Sequence, residues 1–188
     1  MLIQILDLLL GTAANLLAVA FLVRVHAQWV RAPFRNPVSQ LVVGLTDWAT
    51  LPLRRVIPGL FGLDLASLFA AWLLQIAYLG LMAGLAGLAF VTPTAVFGVV
   101  WLAALAVLRL YVYVLMGVVI FAALLSWINP HSPVAPFFDQ LARPLLNPVR
   151  RRLPAFSGID FSPLVVLVLL QVALVVLANL QPGGLRLP

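Results

Sequence analysis

The sequence predicts an all-α membrane protein of four transmembrane helices in two tandem repeats, and three observations carry that prediction. Hydrophobic residues make up 64% of the chain and charged residues 9%, with a mean hydropathy of +1.16. A soluble domain carries roughly 25% charged residues. Four apolar runs are each near the 20 helical residues that cross a hydrocarbon core of roughly 30 Å. Finally, Pro37–Gln75 aligns without a gap on Pro133–Gln171, with 13 identities in 39 positions. Self-similarity on that scale takes priority over a single-unit reading.

The first repeat covers residues 1–91. Its first span runs over about 2–25 and ends near His26 and Trp29; the run is interrupted by Asp7, so it reads as a retained span and not a cleaved leader. Asn15 is the one polar side chain near its middle. From Pro37 the pattern changes: Val38, Leu41, Val42, Leu45 and Trp48 recur at helical spacing, with Ser39, Gln40, Thr46, Asp47 and Thr50 opposite. This predicts a short amphipathic helix over 37–50, capped by Asn36 and lying in the membrane interface. The turn Pro52-Leu-Arg-Arg-Val-Ile-Pro58 follows, where both prolines disfavour helix. Gly62 permits positive φ, and Asp64 caps a second span over about 65–90. Gly80 and Gly84 give that span a small-xxx-small face, where another helix can approach closely.

The second repeat covers 92–188. Its interfacial helix is expected at 133–146, with Val134, Phe137, Phe138, Leu141 and Leu145 repeating the apolar stripe. The turn returns as Arg150, Arg151, Arg152, Pro154, Gly158 and Asp160, with either Asp160 or Ser162 capping a last span over about 161–180. The third span is placed at about 105–127 by counting back from Trp127. That leaves 95–104 as an interfacial or re-entrant piece, or as an overlong tilted start. On this count Arg109 sits near the outer boundary, level with Asp7, and an Asp7–Arg109 ion pair between spans one and three is expected.

All eleven basic residues are arginine and all five acids aspartate, for a net charge of +6. Arg24, Arg31, Arg35, Arg54 and Arg55 lie between spans one and two, and Arg143 and Arg150–Arg152 between spans three and four. The loop between the repeats is uncharged. Arginine bias puts both basic segments in the cytoplasm and both termini outside. The copies then share an orientation, about a pseudo-two-fold axis along the membrane normal. The basic surface is expected to meet anionic lipid headgroups and not nucleic acid.

With no Cys and two His, His26 and His131, both read as loop residues, no metal-ligand spacing exists, and no metal or other cofactor is expected. Without glutamate, a phosphate-binding loop or a nucleophile–base pair, no catalytic residue is assigned.

Asn36-Pro-Val-Ser-Gln40, Pro52-Leu-Arg-Arg-Val-Ile-Pro58, Asp64-Leu-Ala-Ser67, Arg143-Pro-Leu-Leu-Asn-Pro-Val-Arg-Arg151 and Gly158-Ile-Asp-Phe-Ser-Pro163 together resemble the YggT family of bacterial inner-membrane proteins, over almost the whole chain. The resemblance implies no particular chemistry. Across lineages it points to osmotic tolerance and potassium homeostasis, haem attachment to cytochrome b6, or nucleoid and division effects.

Function is accordingly read as assembly or interaction. Arg54, Arg55, Arg150, Arg151 and Arg152 are the residues for lipid or partner contact. Pro58, Gly62, Asp64, Pro154, Gly158 and Asp160 are turn and cap. Homo-oligomers or other membrane proteins are the expected protein partners. Asn15, Gln75, Gln171, Asp7 and Arg109 are the intramembrane polar set. Mutual Gln75–Gln171 pairing is the structural expectation for that set; lining a solute path is the functional one. The alternatives for the whole chain are a channel or transporter subunit for a small ion such as potassium, and a membrane assembly factor.

Overall fold

The computed structural model describes residues 1–60, 62–87, 93–152 and 160–180. Six helices run in the order α1 (Leu2–Trp29), α2 (Pro37–Arg54), α3 (Leu65–Leu85), α4 (Pro93–Ile128), α5 (Ala135–Arg150) and α6 (Ser162–Asn179). Among the described residues the only β pairing is an isolated bridge between Leu60 and Leu63 in the first turn. Four helices, α1, α3, α4 and α6, are long and apolar enough to cross a membrane.

The helix starts follow local chemistry. Pro37 opens α2 without losing a usable N–H, and Asn36 closes a capping box with Ser39, whose N–H donates to Asn36 Oδ1 at 2.9 Å. Asp64 caps α3 by accepting from the Ser67 N–H at 3.3 Å. Gly62 takes a φ of +82°, a conformation open to glycine at no steric cost. The prolines act differently from expectation. α2 continues through Pro52 to Arg54, and α5 contains Pro144 and Pro148. Pro52 and Pro148 sit in the last turn of their helices, where a missing N–H breaks little of the ladder, whereas Pro144 lies in the interior of α5 and removes one of its hydrogen bonds.

Residues 95–104 continue into the third span without a break, because α4 is one helix of 36 residues. At 1.5 Å per residue it is about 54 Å long, so it must tilt steeply or project from a core of roughly 30 Å. Nothing in Pro93–Ile128 breaks it: past its first residue the segment holds no proline, and its only charged side chain is Arg109. By contrast α3 has 21 residues and α6 has 18.

α1 and α4 meet at the centre. α3 packs on both of them and α6 on α4, while α2 lies against α1 and α3, and α5 against α4 and α6. Ala14, Ala18, Ala66, Ala70 and Ala71 are buried where α1 meets α3, small side chains that let helices approach without a hydrophobic drive from lipid. The buried cluster gathers Phe21 and Leu22 of α1, Val118 and Val119 of α4, and Phe137, Leu141, Ala142 and Leu146 of α5. α2 adds no buried residue to this cluster. Its protein-facing residues are Ser39, Val42, Thr46 and Thr50, whereas Leu41, Leu45, Trp48 and Leu51 are exposed.

Candidate functional site

Arg24 lies within the apolar helix α1 and is only 5% exposed. A guanidinium in such a place needs partners, and α2 supplies them by presenting its polar side. Arg24 Nη1 donates to Thr46 Oγ1 and to Asp47 Oδ1, each at 2.7 Å, while its Nε stands 3.5 Å from Asp64 Oδ2. Arg54 closes the other side: its Nη2 donates to Asp64 Oδ2 at 2.7 Å and to Gln28 Oε1 at 2.8 Å. Ser67 Oγ donates to Asp64 Oδ2 at 2.7 Å and lies 3.0 Å from Thr50 Oγ1. Two arginines and two aspartates therefore balance in one network that ties α1, α2 and the start of α3. Burial pushes the Asp64 carboxyl up, but hydrogen bonds from Arg54 and Ser67 and the Arg54 charge outweigh it and hold the group below its ordinary value.

The second half keeps the landmarks and loses the network. Arg150 Nε donates to Asp160 Oδ2 at 2.8 Å, with side chains 42% and 34% exposed. Thr46, Thr50 and Ser67 align with the apolar Ala142, Leu146 and Pro163, and Asp47 aligns with Arg143, so the hydroxyls and the second carboxylate of the first network have no counterpart. Burial again pushes the Asp160 carboxyl up, and hydrogen bonds from Ser162 and Arg150 and the Arg150 charge reverse the shift. Asp160 Oδ1 accepts from the Ser162 N–H at 2.9 Å. Arg150 and Asp160 line an open cleft of about 360 Å3 with Asp139, Ser126, Trp127 and Pro136. Arg151 and Arg152 beside it, and Arg55 in the first half, are exposed, and none of the three joins an ion pair among the described residues.

His26, read from sequence as a loop residue, lies inside α1 and is 2% exposed. Its Nδ1 is 2.8 Å from the Tyr111 hydroxyl of α4, and its Nε2 is 2.9 Å from the Leu141 carbonyl of α5. A carbonyl only accepts, so Nε2 carries the proton and Nδ1 of the neutral ring accepts from Tyr111. Gln140 Nε2 also donates to the Val30 carbonyl at 2.9 Å. The end of α1 thus fastens one half to the other.

The intramembrane polar residues pair differently from expectation. Gln75, 1% exposed, donates through Nε2 to Asn15 Oδ1 at 3.0 Å. It has no pairing with Gln171, which is exposed on α6. The reason is packing: α3 sits on α1 and α4, whereas α6 sits on α4 and α5. The Asp7–Arg109 ion pair is absent among the described residues. Asp7 Oδ1 accepts from the Tyr78 hydroxyl at 2.7 Å, and Arg109 instead stands 6.0 Å from the Tyr113 ring centroid. Gly11 makes the Asp7–Tyr78 contact possible, since a Cβ there would lie 2.7 Å from the Tyr78 hydroxyl oxygen. Arg109 lines a cleft of about 280 Å3 with Asn15, Gln75, Tyr78 and Tyr113, and Gln75 is the midpoint of α3.

The structure therefore brings Arg54 and Asp64 together, and Arg150 and Asp160 together. Pro58 and Gly62 shape the first turn, and Pro154 and Gly158 lie outside the described residues. Sequence reasoning missed Arg24, Thr46, Asp47 and Thr50 as one network. The usable signal was a face of α2 with Thr46 and Thr50 four residues apart. Among the described residues no group of His or Asp side chains is placed to hold a metal ion.

Comparison with known proteins follows the same two halves. A family model described as CCB3/YggT matches twice, over residues 3–85 and 101–181. An Escherichia coli K12 protein, "Uncharacterized protein YggT", is 37% identical over 169 residues, covering 89% of this chain and 86% of its own length. An uncharacterised Pseudomonas aeruginosa protein is 35% identical over 161 residues, 83% of this chain and 79% of that one. A Vibrio alginolyticus protein is 34% identical over 166 residues, 88% and 89%. No solved structure matches the chain.

Proposed function

The chain belongs to the CCB3/YggT family, and from that premise we propose that it is a non-enzymatic protein of the bacterial inner membrane that acts by holding anionic lipid headgroups, in membrane or osmotic homeostasis. The observation that carries the reading is the asymmetry of charge at the basic end. The buried arginine of the first half is matched by aspartates, whereas Arg55, Arg151 and Arg152 are exposed and have no acid partner among the described residues. Beside them α2 turns Leu41, Leu45 and Trp48 outward. Apolar side chains next to unpaired arginines suit the boundary between acyl chains and phosphates. The basic end faces the cytoplasm in this proposal, both termini face outward, and the halves are related about an axis along the membrane normal.

Self-association through α3 belongs to the same proposal. A Cβ placed at Gly80 would meet nothing within 4 Å, so this surface is free for a second copy. A pathway for potassium is the weaker reading, because the polar cleft inside the spans carries Arg109, whose charge repels a cation.

Binding of phosphatidylglycerol to the purified full-length protein in a neutral detergent tests the lipid reading. At about 1 kcal/mol per arginine near a charged surface, the triple change Arg150→Gln, Arg151→Gln and Arg152→Gln should weaken binding by about two orders of magnitude at low salt. Unchanged affinity would sink the proposal.

A further inference from the structure

Arg109 is the only charged residue of α4 and has no role in the lipid contacts above. It is half-buried, and among the described residues its guanidinium makes no hydrogen bond and no ion pair; the one interaction it has is with the Tyr113 ring, at 6.0 Å. A cation inside spanning helices normally faces a partner or a polar cavity, and marks a site. Here the cavity is the cleft of about 280 Å3 between α1, α3 and α4, with room for a small ion and several waters at about 30 Å3 each.

The other groups of the cleft can also donate to an anion. Gln75 and Asn15 share one hydrogen bond, and whichever way the two carboxamides are assigned, one NH2 group is left over. Tyr113 lines the same cleft and its hydroxyl donates to nothing among the described residues. The Tyr78 hydroxyl is taken by Asp7, the only acid in any of the four spans. A guanidinium, an amide NH2 and a phenol O–H without an acid between them make a charge-assisted donor set.

We propose that this cleft is an intramembrane binding site for a small inorganic anion, held by the Arg109 guanidinium with help from the Asn15–Gln75 amide pair. Chloride, bromide and nitrate fit the charge and the volume; a lipid phosphate reaching in from the side carries the same chemistry. The site is independent of the turn arginines, so its test does not depend on theirs.

The full-length protein in nanodiscs of zwitterionic lipid, with its five tryptophans as reporters, is melted in sodium bromide against sodium gluconate at constant ionic strength. A bound ion should raise Tm saturably, on the order of a few degrees. The rise should vanish in Arg109→Gln and survive, weakened, in Arg109→Lys. Replacing sodium with potassium should change nothing. If the rise is absent, follows the cation or persists in Arg109→Gln, the proposal is overturned. Should Arg109→Gln fail to fold, Asn15→Leu keeps the charge and removes an amide. It should weaken bromide binding by about tenfold, the worth of one hydrogen bond to a charged group; unchanged binding overturns the assignment. Repeating the melt with anionic lipid separates the sources. Suppression of the bromide effect identifies a lipid phosphate as the occupant, and persistence identifies the free ion.

Discussion

In the first half of the molecule α2 turns Ser39, Thr46 and Thr50 toward the protein and Leu41, Leu45 and Trp48 away from it. In the second half α5 turns Phe137, Leu141 and Leu146 inward, and none of its Phe, Leu or Val side chains is exposed. Leu45 and Leu141 are the same residue at the same repeat position, yet one is 46% exposed and the other 1%. The difference traces to what each helix must cover. α2 lies over a buried arginine and has to bring hydroxyls and a carboxylate to it. α5 lies under the end of α1, where His26 and Val30 meet it, and fills the space with apolar volume. Both copies bury the positions of Thr46 and Thr50, which are Ala142 and Leu146 in α5, but α5 also buries the positions of Leu41 and Leu45, as Phe137 and Leu141.

The comparison breaks most sharply at the two aspartates. Asp64→Ala removes the buried carboxylate shared by Arg24 and Arg54, leaving Arg24 with Asp47 and Thr46, and should cost about 3 kcal/mol, whereas Asp160→Ala removes a half-exposed pair worth about 1 kcal/mol or less. Unfolding in detergent micelles measures both, and equal losses would refute the contrast. Acid sharpens it further. Asp64 titrates below its ordinary value when folded, so its contribution is complete above the unfolded value near 3.8 and is lost as pH falls through the lower, folded value. Asp64→Asn should flatten that acid limb.

Next come the two leucines. Leu141→Ala should cost about 2–5 kcal/mol, as expected for a filled core site, and Leu45→Ala much less, since Leu45 is exposed. Similar melting shifts for the two variants would mean that α2 is covered after all. The last variant tests the fastener between the halves. His26→Phe leaves the Leu141 carbonyl without its donor and should cost about 1–3 kcal/mol, and it should loosen α5 while sparing the Arg24 network. Hydrogen exchange resolved along the chain reads that difference.

The spans, the repeat, the Asn36 and Asp64 caps and the positive φ of Gly62 were legible in the sequence because each rests on local pattern or local chemistry. The side of α2 that faces inward was not, because periodicity finds a stripe without saying what lies beside it. His26 was misplaced for the same reason: α1 ends three residues later than it, and only the tertiary position of α5 gives it two partners. Arg109 and Asp7 were matched by counting residues along straight parallel spans, a ruler that fails for a helix as long as α4.

The unequal lengths of α4 and α6 have an elastic consequence. One is about 54 Å long and the other about 27 Å, so no single bilayer thickness suits both. A helix of α4's length is accommodated by leaning, by projecting or by a locally thicker bilayer, at fractions of a kcal/mol for each ångström of mismatch. The two halves therefore meet one bilayer on unequal terms, with α6 close to a hydrocarbon core of roughly 30 Å and α4 well beyond it.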